Sequence, residues 1–229
     1  SSLETPALVA ETESIRILAV RWPVLEGVEG EGLLLEPRTE VRAQVVALPD
    51  ADSTPEQVAG LAGGDPVQSH FARRLAEAGC RVMVPTLVNR DYTHSGNPRV
   101  RLTNEPHREF IYRLAFFMGR HVIGFEVQKI LSALDYLEQR GGGLPLGLAG
   151  YGEGGLLAFY AAAADSRVDA ALVSGYFDRR EALWQEPVYR NVWGLLHEFG
   201  DAGVASLVAP RTLIVEASRA PEIPGPPLP

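Results

Sequence analysis

Short, continuously apolar segments alternate with segments of helical periodicity along most of this 229-residue chain. Apolar runs of this kind are typical of strands buried on both faces of a sheet. They occupy residues 43–48, 81–88, 144–149, 168–174 and 211–217. Parallel strands joined by helices need cover on both faces, so the alternation predicts an α/β, doubly wound fold. Two antiparallel strands, 15–22 and 31–35, precede them, so we expect a mixed but mostly parallel sheet.

Composition narrows the possible functions. Hydrophobic residues make up 46% and charged residues 22% of the chain, a balance that supports a globular core and excludes a disordered or fibrous protein. The net charge of -8 argues against a dedicated nucleic-acid binder, which needs a basic surface. The apolar runs are shorter than the ~20 residues that a membrane span requires, so no span is predicted. The single cysteine, Cys80, excludes an internal disulfide.

The two ends differ from the middle in composition. Residues 1–14 are polar and weakly patterned, and we expect a loose arm there. Residues 15–218 are predicted to form one α/β domain. Residues 219–229 are rich in proline and are expected to be a linker or tail. The first methionine is Met83, so we expect this chain to be a trimmed or processed product.

A glycine-rich turn follows the predicted strand 144–149 and precedes an apolar helix. It comprises Gly150, Tyr151, Gly152, Glu153 and Gly154. The context of strand, sharp turn and helix is typical of a nucleophile elbow, in which the central residue projects its side chain above the sheet. The central position is Gly152, which carries no nucleophile. A dinucleotide site is disfavoured, because such a loop should follow the first strand and this one follows the fifth predicted strand.

Three carboxylates are predicted to converge at this turn. Asp50 and Asp52 follow the strand 43–48, and Glu153 lies in the turn itself. Like charges would raise each other's pKa and oppose an oxyanion. The acids could instead bind a divalent cation, but no fixed ligand spacing supports a metal and we predict none. The remaining alternative is helix capping by the aspartates and an ion pair between Glu153 and an arginine such as Arg108.

One further serine ends a predicted strand at the same edge of the sheet. Ser174 closes the segment 168–174, and ligands of α/β proteins bind at the carboxyl edge. We expect its hydroxyl to bind a turn. With Asp50, Asp52 and Arg108 it forms the predicted rim of a pocket.

The strand order, the position of the turn and three further segments resemble the α/β-hydrolase superfamily. These segments are F-I-Y-R at 110–113, G-R-H at 119–121 and V-S-G-Y-F at 173–177. The resemblance covers residues 15–217 and is strongest to the bacterial acetyl xylan esterase and dienelactone hydrolase-like branch. It implies a serine at the elbow, an acid after the penultimate strand and a histidine beyond the last strand. It also implies that the last strand and helix of the fold are missing here.

The triad that this resemblance implies is incomplete. The family's serine position falls on Gly152, and Glu216 and Glu222 are the only carboxylates near the family's acid position. All the histidines lie upstream of the strand 211–217, at His70, His94, His107, His121 and His197. The order of nucleophile, acid and histidine therefore leaves no base.

We therefore expect an esterase-like domain without an intact Ser-His-acid triad, serving as a non-catalytic module of a longer or multidomain hydrolase. One alternative is a carboxylic-ester hydrolase completed by residues outside this chain. Another is a small-molecule or carbohydrate-binding protein that reuses the pocket. A second hydrolase domain or subunit is expected to cover the open sheet edge, which predicts an oligomer. No cofactor is predicted, and the compartment stays open.

Overall fold

The computed structural model describes residues 6–63, 69–93, 105–177, 181 and 183–223. In these residues eight strands form one sheet in the order β1-β2-β3-β5-β4-β6-β7-β8. The strands are β1 (Ala7–Glu11), β2 (Ile15–Leu25), β3 (Val28–Pro37), β4 (Ala43–Leu48), β5 (Cys80–Pro85), β6 (Leu146–Tyr151), β7 (Ala170–Ser174) and β8 (Thr212–Glu216). Strands β4 to β8 are parallel to one another, and β1, β2 and β3 pair antiparallel. The α/β, mostly parallel fold is confirmed.

Helices cover both faces of the sheet. They are α1 (Pro55–Val58), α2 (Phe71–Glu77), α3 (His107–Phe117), α4 (Val122–Gly141), α5 (Glu153–Ala164), α6 (Leu195–Glu198) and α7 (Gly200–Val208). Helices α1 and α2 pack on one face, around Ala47, Val82 and Val84. Helices α4, α5 and α7 pack on the other and form the larger core. No described helix is long and apolar enough to span a membrane.

The N-terminal segment is more ordered than its sequence indicates. Residues 1–14 were expected to be a loose arm, but Ala7–Glu11 form β1 and pair antiparallel with β2. The side chains of β1 are mostly exposed and a bulge lies between Leu8 and Ala10, so the strand has no apolar alternation to detect. With β1 counted, the glycine-rich turn follows the sixth strand, not the fifth.

Some other boundaries also differ from the predictions. The predicted strand 43–48 is observed unchanged, whereas the hairpin strands extend to Leu25 and begin at Val28. Helix α7 was not predicted, because its glycine and alanine content gives a weak amphipathic pattern. The predicted helix at 66–79 is observed only as Phe71–Glu77, and its residues 66–68 lie outside the described residues.

The two edge strands of the sheet are unequal. Strand β1 is bulged, whereas β8 is regular and four of its five residues are exposed. Ile214 and Val215 are 50% and 43% exposed. Among the described residues no strand pairs with the outer edge of β8.

Candidate functional site

The turn between β6 and α5 has the backbone of a nucleophile elbow. Gly152 lies between Tyr151 and Glu153 with φ 58° and ψ -119°, a conformation that L side chains rarely adopt. Its N–H donates to the carbonyl of Ser174 at 3.0 Å, and its carbonyl accepts from the N–H of Leu156 at 3.1 Å. The turn is therefore fixed both to β7 and to the first turn of α5.

The flanking glycines are required by close packing of backbone on backbone. A Cβ at Gly150 would collide with the carbonyl oxygen of Gly154. A Cβ at Gly154 would collide in turn with the carbonyl oxygen of Leu48 at the end of β4. Helix α5, β6 and β4 therefore approach one another closely at the positions where glycines were expected to flank the turn.

The space above the elbow is filled by a carboxylate. Asp50 Oδ1 accepts a hydrogen bond of 2.8 Å from the N–H of Glu153, the residue after the central position. A Cβ at Gly152 would collide with the same oxygen and would lie 2.8 Å from Pro221 Cγ. In an elbow this N–H is the one that donates to an oxyanion. Here an internal anion of the chain already occupies it.

Arg90 holds the three predicted carboxylates together. Its guanidinium donates to Asp50 Oδ2 at 2.7 Å, to Asp52 Oδ2 at 2.9 Å and to Glu153 Oε2 at 2.9 Å. Its Nε donates to the hydroxyl of Tyr189 at 2.7 Å. The predicted convergence of the acids is observed, and the cation between them is a guanidinium. Among the described residues, no group of three or more His, Cys, Asp or Glu side chains is arranged so that it could hold a metal ion.

Two more arginines complete what we call the charge cluster. Its members are Asp50, Asp52, Arg90, Arg108, Glu126, Glu153 and Arg190. Arg108 pairs with Glu126 at 2.5 Å and with Glu153 at 3.3 Å, so the predicted pair of Arg108 and Glu153 exists but is the longer of the two. Arg190 pairs with Glu153 at 2.9 Å. Arg108, Glu126 and Glu153 are buried, a placement that charged groups tolerate only when paired.

The arginines reverse the expected pKa shifts of the carboxylates. Burial would raise the pKa of Asp50, but the hydrogen bond and charge of Arg90 and the N–H groups of Glu153 and Asp52 lower it below its usual value. Burial would also raise the pKa of Glu153, and Arg108, Arg190 and Arg90 lower it instead. The expectation that the acids raise each other's pKa is therefore wrong for Asp50 and Glu153. Both are bound as carboxylates at neutral pH.

The hydroxyl of Ser174 was expected to bind a turn, and it contacts the end of β8 and the residues just after it. Its Oγ donates to Glu216 Oε2 at 2.5 Å and lies 2.7 Å from the hydroxyl oxygen of Ser218. Glu216 is the last residue of β8, in register with Ser174. The segment after β8 continues across the elbow, where the hydroxyl of Tyr151 donates to the carbonyl of Arg219 at 2.9 Å.

The described histidines have roles away from this hydroxyl. His121 accepts from the N–H of Ile123 and so caps α4, and its other ring nitrogen contacts the carbonyl of Asn191. His107 contacts Asn89, and the exposed His197 contacts its neighbour Glu198. His70 begins α2. His94 lies outside the described residues.

Sequence reasoning missed Arg90 and Arg190. Arg90 begins a polar stretch after the predicted strand 81–88, Arg190 ends the short 3-10 helix Val188–Arg190, and neither has a fixed spacing to the acids that it binds. The one available signal was an excess of negative charge: three acids predicted at one sheet edge require cations, and arginines in the neighbouring loops are the candidates. The signal indicates that a cation is present without indicating which residue provides it.

Comparison with solved structures identifies the fold. A putative acetyl xylan esterase from Bacteroides fragilis NCTC 9343 superposes with a TM-score of 0.75 at 13% identity, covering 92% of this chain and 62% of that one. A glucuronoyl esterase from Solibacter usitatus gives 0.57 at 15% identity, over 93% of this chain and 66% of that one. A cold-adapted esterase from an Arctic intertidal metagenomic library gives 0.54 at 16% identity, over 94% and 76%.

Sequence comparison gives the family. No curated protein matches the chain. The sequence model of the Dienelactone hydrolase family matches residues 57–181, more than half of the chain and the part that contains the elbow. The chain spans 62% of the length of the Bacteroides fragilis structure. With its eight-stranded sheet and its glycine-rich turn after β6, this chain has the α/β-hydrolase fold and belongs to the dienelactone hydrolase family.

Proposed function

We propose that this chain is a non-catalytic module of a longer or multidomain hydrolase of its family. The observation that carries the proposal is the hydrogen bond of 2.8 Å from the N–H of Glu153 to Asp50. A donor that would stabilise a developing oxyanion is neutralised by a permanent anion, so a substrate carbonyl oxygen would compete with a carboxylate for it. Glycine at position 152 also leaves no side chain to attack a carbonyl carbon.

The surroundings of the elbow support the same conclusion. Asp50 is itself held by Arg90, and Arg90 also binds Glu153, so displacing the carboxylate would break several buried ion pairs at once. An attacking hydroxyl further needs a base within hydrogen-bond reach. The described histidines contact other groups, so none of them serves Ser174 as the base of a triad. The Oγ of Ser174 contacts the carboxylate of Glu216 and the hydroxyl of Ser218. These contacts favour a structural role over turnover.

The module is proposed to dock through β8. Four of the five residues of this edge strand are exposed, and its outward-facing backbone N–H and C=O groups have no neighbouring strand among the described residues. Exposed regular edges are templates for pairing. We propose that a second hydrolase domain or a second subunit adds a strand there. The module would comprise residues 15–218 together with β1, and residues 219–229 would be the linker.

The test of the non-catalytic role is hydrolysis of p-nitrophenyl acetate by the full chain and by its Gly152→Ser and Gly152→Ser/Asp50→Ala variants. We expect no enzyme-dependent hydrolysis from the wild type or from Gly152→Ser. The double variant frees the N–H of Glu153 but gains no base, so at most a slow burst of acylation is expected. Turnover by the wild type that a serine-reactive inhibitor abolishes would overturn the proposal. Loss of that turnover in Ser174→Ala would identify an unorthodox nucleophile.

The docking role is tested by light scattering on the purified chain. We expect association that depends on concentration, and we expect Ile214→Lys to reduce it, because a charge on an edge strand opposes pairing. Val9→Lys on β1 is the matched control, since Val9 and Ile214 are each 50% exposed on opposite edges. A monomeric wild type, or equal effects of the two lysines, would contradict docking through β8.

A further inference from the structure

A cavity opens beside the elbow, on the side of the sheet that carries α1 and α2. Its volume is about 630 Å³. Val58 of α1 and Phe71 and Arg74 of α2 form one wall. Tyr151 of β6, Ser174 of β7 and Glu216 of β8 lie in register across the opposite side, so their side chains share one face of the sheet.

The carboxylates that reach this cavity already have partners. Asp50 is bound by Arg90 and by the N–H of Glu153. Glu216 accepts the hydroxyl of Ser174 at 2.5 Å. Asp50 is therefore neutralised by an arginine, whereas Glu216 binds a neutral hydroxyl and keeps its negative charge at the β8 end of the cavity.

The cavity also carries one positive charge, on the wall formed by the helices. Arg74 lies in the last turn of α2, and within the described ranges it has no ion-pair partner. Its neighbour Arg73 is different, because it pairs with Glu77 at 2.8 Å. A guanidinium on a cavity wall attracts a carboxylate and can bind both of its oxygens.

The rest of the lining is largely apolar. Val58 and Phe71 face the cavity from the helices, and Leu172 faces it from the middle of β7. Leu172 is only partly buried, so a ligand that covers it would remove further apolar surface from water. The cavity thus combines one unpaired cation with an apolar floor, and its volume falls within the range of about 300–1,000 Å³ typical of small-molecule sites.

We propose that this cavity binds a small monocarboxylate with an apolar body, such as an aromatic or medium-chain acid. The carboxylate contacts Arg74, and the body lies over Phe71 and Leu172. The inference does not rest on the non-catalytic role or on docking through β8, since binding requires neither an intact elbow nor a free edge strand.

The test is calorimetric titration of the full chain with sodium benzoate and sodium hexanoate. Benzamide and hexanamide serve as uncharged probes of the same shape. We expect saturable binding of at least one acid, and binding of its amide weaker by about 10-fold or more, the effect of losing one charge-assisted hydrogen bond. Absence of saturable binding for both acids, or equal binding of acid and amide, overturns the proposal.

Three variants locate the ligand. Arg74→Gln is expected to weaken carboxylate binding by about 10-fold, whereas the matched Arg73→Gln should change it by less than about 2-fold. Leu172→Trp fills the cavity floor and should abolish binding of acids and amides alike. Circular dichroism checks that each variant is folded, and Arg74 is exposed, so its replacement leaves the core intact. Equal effects of the two glutamine variants place the ligand elsewhere and overturn the assignment.

Discussion

The elbow turn and the charge cluster above it are in direct contact but are stabilised in different ways. The turn depends on backbone packing, in which Gly150 and Gly154 allow β6, α5 and β4 to approach closely. The cluster depends on side chains from separate segments, which Arg90 joins through its contacts with Asp50 and Glu153. The comparison teaches that the shape of an elbow does not require a nucleophilic side chain, because the backbone forms the turn with glycine at its centre.

The largest effect is expected where a side chain is forced into the turn. Gly154→Ala places a methyl group against the backbone of β4, and backbone cannot move aside without distorting the sheet. We expect the free energy of unfolding to fall by more than about 4 kcal/mol, measured by urea denaturation, or the variant not to fold. The matched control is Gly147→Ala in β6, whose Cβ would lie an ordinary 3.5 Å from the carbonyl of Ala170. Similar losses in both variants would refute a specific role of the turn.

The next effect breaks the charge cluster while leaving the glycines of the turn unchanged. Arg108→Met leaves Glu126 buried without its arginine, and we expect a loss of about 3 kcal/mol in the free energy of unfolding. Adding Glu126→Leu should recover much of that loss, because the orphaned charge is removed. Arg113→Met is the control, since its pair with Glu109 is exposed and is expected to contribute less than about 1 kcal/mol. Equal losses at Arg108 and Arg113 would contradict this comparison.

The smallest effect is a dependence of the free energy of unfolding on pH, which arises from the charge cluster and not from the backbone of the turn. The pKa of Asp50 and that of Glu153 are lowered in the folded chain, so their stabilisation is fully present above the ordinary carboxyl pKa of about 4. It is lost as pH falls through the folded values. Urea denaturation between pH 7 and pH 3 should therefore show a decline below about pH 4. Asp50→Asn should decline less steeply than the wild type, and parallel slopes would show that this carboxylate contributes nothing to the acid sensitivity.

The sequence predicted the turn well because backbone constraints are local. The spacing of Gly150, Gly152 and Gly154 between a strand and a helix specifies a sharp turn, whichever residues lie above it. The convergence of Asp50 and Glu153 was also predictable, because parallel strands end at one edge of the sheet. Their roles as site residues remain predictions.

What the sequence did not indicate depends on contacts between distant segments. Arg90 reaches the cluster from the loop after β5 and Arg190 from the short 3-10 helix Val188–Arg190, and no local pattern encodes where these two segments lie. Strand β1 was missed because an exposed edge strand needs no apolar face. The predicted direction of the pKa shifts of Asp50 and Glu153 was wrong because the arginines were missed. The acids were recognisable in the sequence, and the cations that bind them were not.

The carboxylate beside Gly152 has a consequence for any side chain introduced at the centre of the turn. A serine there would meet Asp50, because the oxygen that lies beside its Cβ also binds the Glu153 N–H. Removing Asp50 to make room would take a counterion from Arg90. The effects of the two substitutions therefore depend on each other.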